Sequence, residues 1–203
     1  MIAIVDYGVG NLFSLKCSFA AVGAEAEVTG DEQKILSASR VVLPGVGAFR
    51  DARFKLAAAG LDGTMRALAQ RGTPLLGICL GMQLLFDSSD EFGHWEGLGL
   101  IPGRVTAMAD RLPPGLKVPQ IGWNGLEITR PEHPLMRNTR DGDCVYFVHS
   151  YSAVDCDDAL LARTEYGIPV TAAVAKGSVM GCQFHPEKSG SVGLDILRAF
   201  LTI

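Results

Sequence analysis

No C-x-x-C pair occurs in these 203 residues, and the five cysteines, Cys17, Cys79, Cys144, Cys156 and Cys182, are an odd, scattered set. Only four histidines accompany them, without metal-ligand spacing, so no zinc site and no other cofactor or metal is expected. Free thiols in that pattern predict a reduced, cytoplasmic compartment. Lys and Arg never gather into a block and the formal charge is −4, which argues against a nucleic-acid or anionic-membrane surface. No apolar run approaches the length of a membrane span, and Met1-Ile-Ala-Ile-Val-Asp6 reads as a strand rather than a secretion signal. Repeats, low-complexity tracts and linkers are also missing. One domain over residues 1–203 is therefore expected, and 48% hydrophobic residues are enough to give it a substantial core.

What is present alternates. Residues 2–5 form a β-branched apolar run, as in a strand buried on both faces. Asp6-Tyr-Gly-Val-Gly-Asn11 breaks it, and Leu12, Leu15, Phe19 and Val22 then follow helical spacing. The glycines lack the Lys-Ser/Thr ending of a phosphate loop, so a plain strand-to-helix turn is the preferred reading. Glu25–Thr29 reads as a strand, Asp31–Ser37 as a helical turn and Arg40–Pro44 as a third strand. Gly45-Val-Gly-Ala-Phe49 ends that strand, and helices over about 50–59 and 62–71 follow, separated by Gly60. This order predicts an α/β fold, a doubly wound, mainly parallel sheet flanked by helices, with its chemistry at the carboxyl ends of the strands. Beyond Phe86 the texture changes. A polar loop over 87–97 leads to short strands near 104–108, 125–129, 144–148, 161–166, 170–175 and 179–184. The turns between them predict antiparallel additions to the core. Gly190–Ile203, with Val192, Ile196, Leu197, Phe200 and Leu201 on one stripe, closes the chain as a helix.

The most informative stretch is Leu75-Leu-Gly-Ile-Cys79-Leu-Gly-Met-Gln83-Leu-Leu-Phe86. A buried strand enters Gly77-Ile-Cys79-Leu-Gly81 and a helical pattern leaves it, as in a Gly-x-nucleophile-x-Gly elbow. A thiol there sits at a helix start, where free amides and the dipole favour the thiolate. A tetrahedral oxyanion formed on attack needs two donors. The elbow supplies the Leu80 amide, and the strand-end loop Gly45-Val46-Gly47 is suited to supply the second. Each donor is worth about 2.7–4 kcal/mol in the transition state, so the orientation of that loop alone is enough to switch the rate.

Downstream, Phe184-His-Pro-Glu-Lys-Ser189 joins the last strand to the last helix. Proline keeps His185 extended, and residues two apart in extended chain point to one side, so His185 and Glu187 should face together. A carboxylate so placed fixes the imidazole's tautomer and raises its basicity. His-x-Glu alone also fits a solvated surface pair. Joined to an elbow cysteine it reads as a Cys-His-Glu acyl-transfer hydrolase. His94 and His133 lie in polar, turn-rich sequence and are expected at the surface. His149 follows a strand and either lines the site or, more simply, makes a structural hydrogen bond.

These segments resemble the class I, or triad, glutamine amidotransferases. Gly77–Gln83 is similar to the family's nucleophile segment, with Gln83 at its glutamine-recognising position, and Gln183–Ser189 to its histidine–glutamate segment. Further stretches, Val5–Asn11, Leu43–Phe49, Leu98–Gly103, Pro119–Asn124 and Tyr146–Tyr151, are similar to those of the glutaminase subunits of imidazole glycerol phosphate synthase. The resemblance covers essentially the whole chain. It implies hydrolysis of L-glutamine to glutamate and ammonia by a Cys79, His185 and Glu187 triad. Val46, Gly47 and Leu80 would form the oxyanion hole, and Gly45, Gln83, Ser150 and Tyr151 the glutamine contacts. It further implies a heterodimer with a (β/α)₈-barrel cyclase subunit that uses the ammonia in histidine biosynthesis. Asn11, Trp123 and Asn124 match stretches near that interface, although Trp123 also suits a core position. Rival readings are a glutaminase subunit of anthranilate, aminodeoxychorismate or pyridoxal phosphate synthase, a cysteine peptidase-like protein of the same fold, and a non-catalytic binding module.

Overall fold

The computed structural model describes all 203 residues. Buried apolar runs alternate with helices through the first half: β1 (Ile2–Val5), α1 (Leu12–Ala21), β2 (Ala26–Thr29), α2 (Glu32–Ser37), β3 (Arg40–Leu43), α3 (Phe49–Ala58), α4 (Leu61–Gln70) and β4 (Leu75–Ile78). The elbow leads into a short α5 (Leu80–Leu84), followed by β5 (Ser88–Ser89), β6 (Trp95–Glu96), β7 (Arg104–Ala107), β8 (Gln120–Ile128), β9 (Cys144–His149) and β10 (Tyr151–Val154). The chain closes with β11 (Leu160–Glu165), β12 (Pro169–Lys176), β13 (Val179–Cys182) and α6 (Gly190–Phe200).

Nine strands form one sheet in the order β2-β1-β3-β4-β13-β12-β11-β8-β9. The first five are mutually parallel. From β13 onward each pairing is antiparallel. The parallel core with antiparallel additions matches expectation except at β13, which the sequence placed among the additions and which instead runs parallel to β4 and completes the core. β8 spans nine residues where periodicity predicts only its last part. A second, four-stranded sheet, β10-β7-β5-β6, lies beside the first.

Alternation along the strands sends side chains to two cores. Ala3, Val5, Val41, Leu43 and Leu75 pack with Ile35, Phe49, Leu56, Met65 and Leu68 of α2, α3 and α4. Ile2, Ile4, Val42, Leu76 and Ile78 pack with Leu15 and Phe19 of α1 and Ile196, Leu197 and Phe200 of α6. Helices therefore cover both faces, which is what strands buried on both sides require. The consequence for the site is topological. β13 is inserted directly beside β4, with Cys182 paired to Ile78, so the chain leaving each of these strands emerges at the same sheet edge.

Candidate active site

Cys79 occupies the turn between β4 and α5 with φ 54° and ψ −111°, a region that side chains other than glycine rarely adopt. Its amide donates to Cys182 O at 2.8 Å, and Gln83 N–H donates back to Cys79 O at 3.1 Å. The flanking glycines permit a close backbone approach. A Cβ on Gly81 would stand 1.9 Å from Leu43 O, one on Gly77 2.7 Å from Gly81 O, and one on Gly45 2.6 Å from Gly81 N. The ends of β3, β4 and β13 are thereby drawn into backbone contact at the elbow. The helical pattern expected from Cys79 to Phe86 is realised over Leu80–Leu84 only.

On the neighbouring strand end, His185 is extended (φ −99°, ψ 100°), as the following proline demands. Glu187 is not extended: Pro186–Lys188 is a turn of 3₁₀ helix. The carboxylate nevertheless meets the ring, Glu187 Oε1 lying 2.8 Å from His185 Nδ1. The pairing is as expected, and its cause is corrected from strand alternation to a helical turn. Both side chains are almost wholly buried, at 3% and 1% exposure. The backbone of His185 is held as well. Its amide donates to Tyr146 O at 3.0 Å, and its carbonyl accepts from Ser189 Oγ, which in turn accepts from Tyr146 N–H.

Burial pulls the His185 pKa down, but hydrogen bonds to Cys79 and Glu187, reinforced by their charges, outweigh it and raise the value to about 9. With Nδ1 engaged by Glu187, Nε2 is the nitrogen left for Cys79. That balance favours the protonated ring, held between the Cys79 sulfur and the carboxylate. His149 behaves oppositely. Burial lowers its pKa to about 4, and its Nδ1 lies 2.8 Å from Tyr151 O. A carbonyl can only accept, so Nδ1 carries the proton of this neutral ring. Both alternatives for His149 hold together, since it also lines the cavity.

The cavity above Cys79 has a volume of about 500 Å³. Val46, Gly47, Leu80, Gln83, Ser150, Tyr151 and His185 line it. Val46 is 45% exposed, Gly47 has φ +97°, and the loop is braced by Tyr7 Oη donating to Pro44 O at 2.7 Å. Gly45 packs behind the wall against Gly81 and Leu80 rather than facing the cavity. Gln83 spends its amide protons on Tyr151 O (3.1 Å) and Gln183 Oε1 (2.9 Å), leaving its own oxygen free. Sequence reasoning missed Glu91, which lines the same cavity. Its Oε2 accepts from Phe49 N–H at 2.6 Å, and burial raises its pKa. Amid the polar residues 87–97 nothing in the sequence distinguished it from a solvated acid.

Away from the cavity, Asn11 caps α1 by accepting from Ser14 N–H at 3.4 Å. Trp123 is 55% exposed, which overturns a core role, and meets Tyr146 edge-on with ring centres 6.0 Å apart. Asn124 Oδ1 accepts from Gln120 Nε2 at 3.0 Å. His94 is exposed beside Asp90, as expected. His133 is half-buried instead, its Nδ1 accepting from Leu135 N–H at the start of a 3₁₀ turn. All five cysteines are free, and no helix is long and apolar enough to cross a membrane.

An elbow thiol, a buried His–Glu pair and a cavity at the strand ends of a doubly wound sheet define a class. Residues 3–203 match the model of the family "Glutamine amidotransferase class-I", and the chain belongs to it. Solved structures share the fold: a glutamine amidotransferase (TM-score 0.76, 18% identity, 99% of this chain and 97% of that one) and PurLQS from Thermotoga maritima (0.75, 20%, 99% and 97%). Curated relatives are nearer in sequence. "Imidazole glycerol phosphate synthase subunit HisH" of Geobacillus kaustophilus is 48% identical over 100% of this chain and 97% of its own length. Those of Syntrophotalea carbinolica and Methanothermobacter thermautotrophicus are each 49% identical, covering 98% and 100% of this chain and 98% of their own lengths. Within the class, the chain belongs to the HisH subunits.

Proposed function

We propose that this chain is the glutaminase subunit of imidazole glycerol phosphate synthase, hydrolysing L-glutamine in one domain over residues 1–203 and passing ammonia to a cyclase partner for histidine biosynthesis. The observation that carries the reading is the convergence of Cys79 and the buried His185–Glu187 pair on one cavity.

In this reading each step falls to a residue of the cavity. Cys79 Sγ attacks the side-chain carbonyl of glutamine, and the oxyanion takes the Leu80 amide together with one from Val46 or Gly47. The His185 imidazolium, with a pKa of about 9, holds the proton that the leaving ammonia needs. Once neutral, the ring removes a proton from the water that cleaves the thioester, while Glu187 keeps Nδ1 protonated and stabilises the returning positive charge. Gln83 Oε1 and the Glu91 carboxylate offer acceptors suited to the substrate's α-ammonium, and Ser150 and Tyr151 line the path to its α-carboxylate.

Exposed apolar groups near the cavity mouth support a docking face for the partner there. Val46 and Phe92 line the mouth itself, and Ile121 and Trp123 project from β8, whose residue Gln120 pairs with cavity-lining His149. Asn11 and Asn124 belong to the same proposed interface. A cyclase docked there would cover the mouth, so ammonia would leave into the partner rather than into solvent, and would act on the Val46 loop as it binds. A cytoplasmic setting suits five free thiols.

The test is glutamate release from glutamine by the chain alone and then with the cyclase and its nucleotide ligand. Strong stimulation by the partner, abolished by Cys79→Ala, is expected. Full turnover without a partner would refute the synthase reading, and no turnover in either case would refute the hydrolase.

A further inference from the structure

We infer that Gln183 is a catalytic residue whose side-chain amide donates a hydrogen bond to the Cys79 sulfur, with its orientation dictated by a hydrogen-bonded series that begins at a backbone carbonyl. The inference rests on Cys79 being the nucleophile of the glutaminase reaction. The orientation can be read one link at a time. Tyr151 O can only accept, so the end of Gln83 that faces it at 3.1 Å is its NH₂. The same nitrogen lies 2.9 Å from Gln183, which must therefore present its oxygen there. The two arms of a carboxamide are complementary, so the NH₂ of Gln183 is the arm facing Cys79 Sγ, at 3.6 Å. Reversing Gln183 would set two NH₂ groups against each other and an oxygen lone pair against the sulfur. The residue is 0% exposed, so no water competes for either arm.

A buried thiolate needs donors. His185 supplies one, but gives up its proton to the leaving group. An amide N–H does not ionise, so Gln183 donates throughout, including when water expels the sulfur from the thioester. Gln183 does not line the cavity and makes no substrate contact of its own. Its effect should fall on the reactivity of the sulfur and leave glutamine binding alone.

The experiment uses the full chain with Gln183→Met, which keeps length and volume and removes the donor. Iodoacetamide labelling is followed at each cysteine by mass spectrometry. Exposed Cys17 serves as the reference thiol, and buried Cys156 and Cys182 report folding. The expected result is a roughly 10- to 100-fold slower labelling of Cys79, the effect of losing a hydrogen bond to a charged group. In the complex with the cyclase, kcat falls with it while KM stays within about twofold. Gln83→Met, which removes the orienting link, should slow labelling roughly threefold or more although iodoacetamide does not use the glutamine contacts. Cys79 labelled within about twofold of wild type in Gln183→Met, with Cys156 and Cys182 still protected, overturns the inference alone. Should those two thiols become reactive, the variant has unfolded, and unchanged labelling in Gln83→Met overturns it instead. A wild-type Cys79 no faster than Cys17 overturns the nucleophile reading and this inference together.

Discussion

Gly81→Ala tests whether close backbone packing sets the position of the nucleophile. The added methyl would stand 1.9 Å from Leu43 O and 2.8 Å from the carbonyl carbon, where side-chain carbons essentially never come within 3.0 Å. Relief requires more than an ångström of movement between the start of α5 and the end of β3. Neither is a flexible side chain that can swing aside. Overpacking of this kind costs about 3 kcal/mol. Alanine recovers about 1 kcal/mol of helix propensity, leaving a net loss of about 2 kcal/mol. The same displacement separates Cys79 from the Pro44–Gly47 loop, and an error of about 1 Å in a reacting geometry costs on the order of 100-fold in rate. Urea unfolding of the chain gives the first quantity, and glutamate release in the cyclase complex gives the second. Gly63→Ala, in a helix with nothing within 4 Å of the new methyl, is the control and should stabilise by about 0.5–1 kcal/mol. If Gly81→Ala unfolds and turns over like wild type, the elbow glycines are not what fixes this geometry.

Other consequences can be measured separately. Cys79→Gly should be more stable than Cys79→Ala by about 1 kcal/mol, since glycine relieves the φ of 54°, and both should release no glutamate. Because the folded-state pKa of His185 is raised to about 9 from 6.5, its contribution to stability is full below pH 6.5 and is lost as pH rises through about 9. Glu187→Gln should flatten that decline in a pH series of urea midpoints and lower kcat in the complex; a variant with an unaltered pH profile would contradict the proposed charge coupling. His149 has the reverse sign, lowered to about 4, so its contribution is present above pH 6.5 and lost toward pH 4, a loss that His149→Phe should remove. Tyr7→Phe deletes the bond to Pro44 O and should cost about 1 kcal/mol, with reduced turnover if that bond braces the oxyanion loop.

The parts legible in the sequence were those carrying a period or a special backbone. Continuous β-branched runs announced β1 and β3, and Gly77-x-Cys79-x-Gly81 announced an elbow whose φ of 54° the structure displays. What stayed hidden lacked such a signature. β5 and β6 are two residues each, too short for any alternation, so the four-stranded second sheet was invisible. Glu91 looked solvated because nothing local shows that Phe49 N–H reaches it from across the chain. His185 and Glu187 were paired through the wrong geometry, since a proline starts a 3₁₀ turn as readily as it preserves an extended segment. Gln183 was visible only as a neighbour of His185; its part depends on partners at Gln83 and Cys79, about a hundred positions away.

The insertion of β13 between β4 and β12 also governs when the site comes into being during synthesis. A growing chain that has delivered β1 to β4 already carries the nucleophile, yet the strand that brings the histidine is among the last segments to emerge. Until then β4 is an open edge with unpaired amides and carbonyls, a surface prone to pairing with other chains. The elbow thiol is thus kept without a base until translation is nearly finished. Fragments truncated before Val179 should accumulate as chaperone clients rather than as wasteful glutaminases.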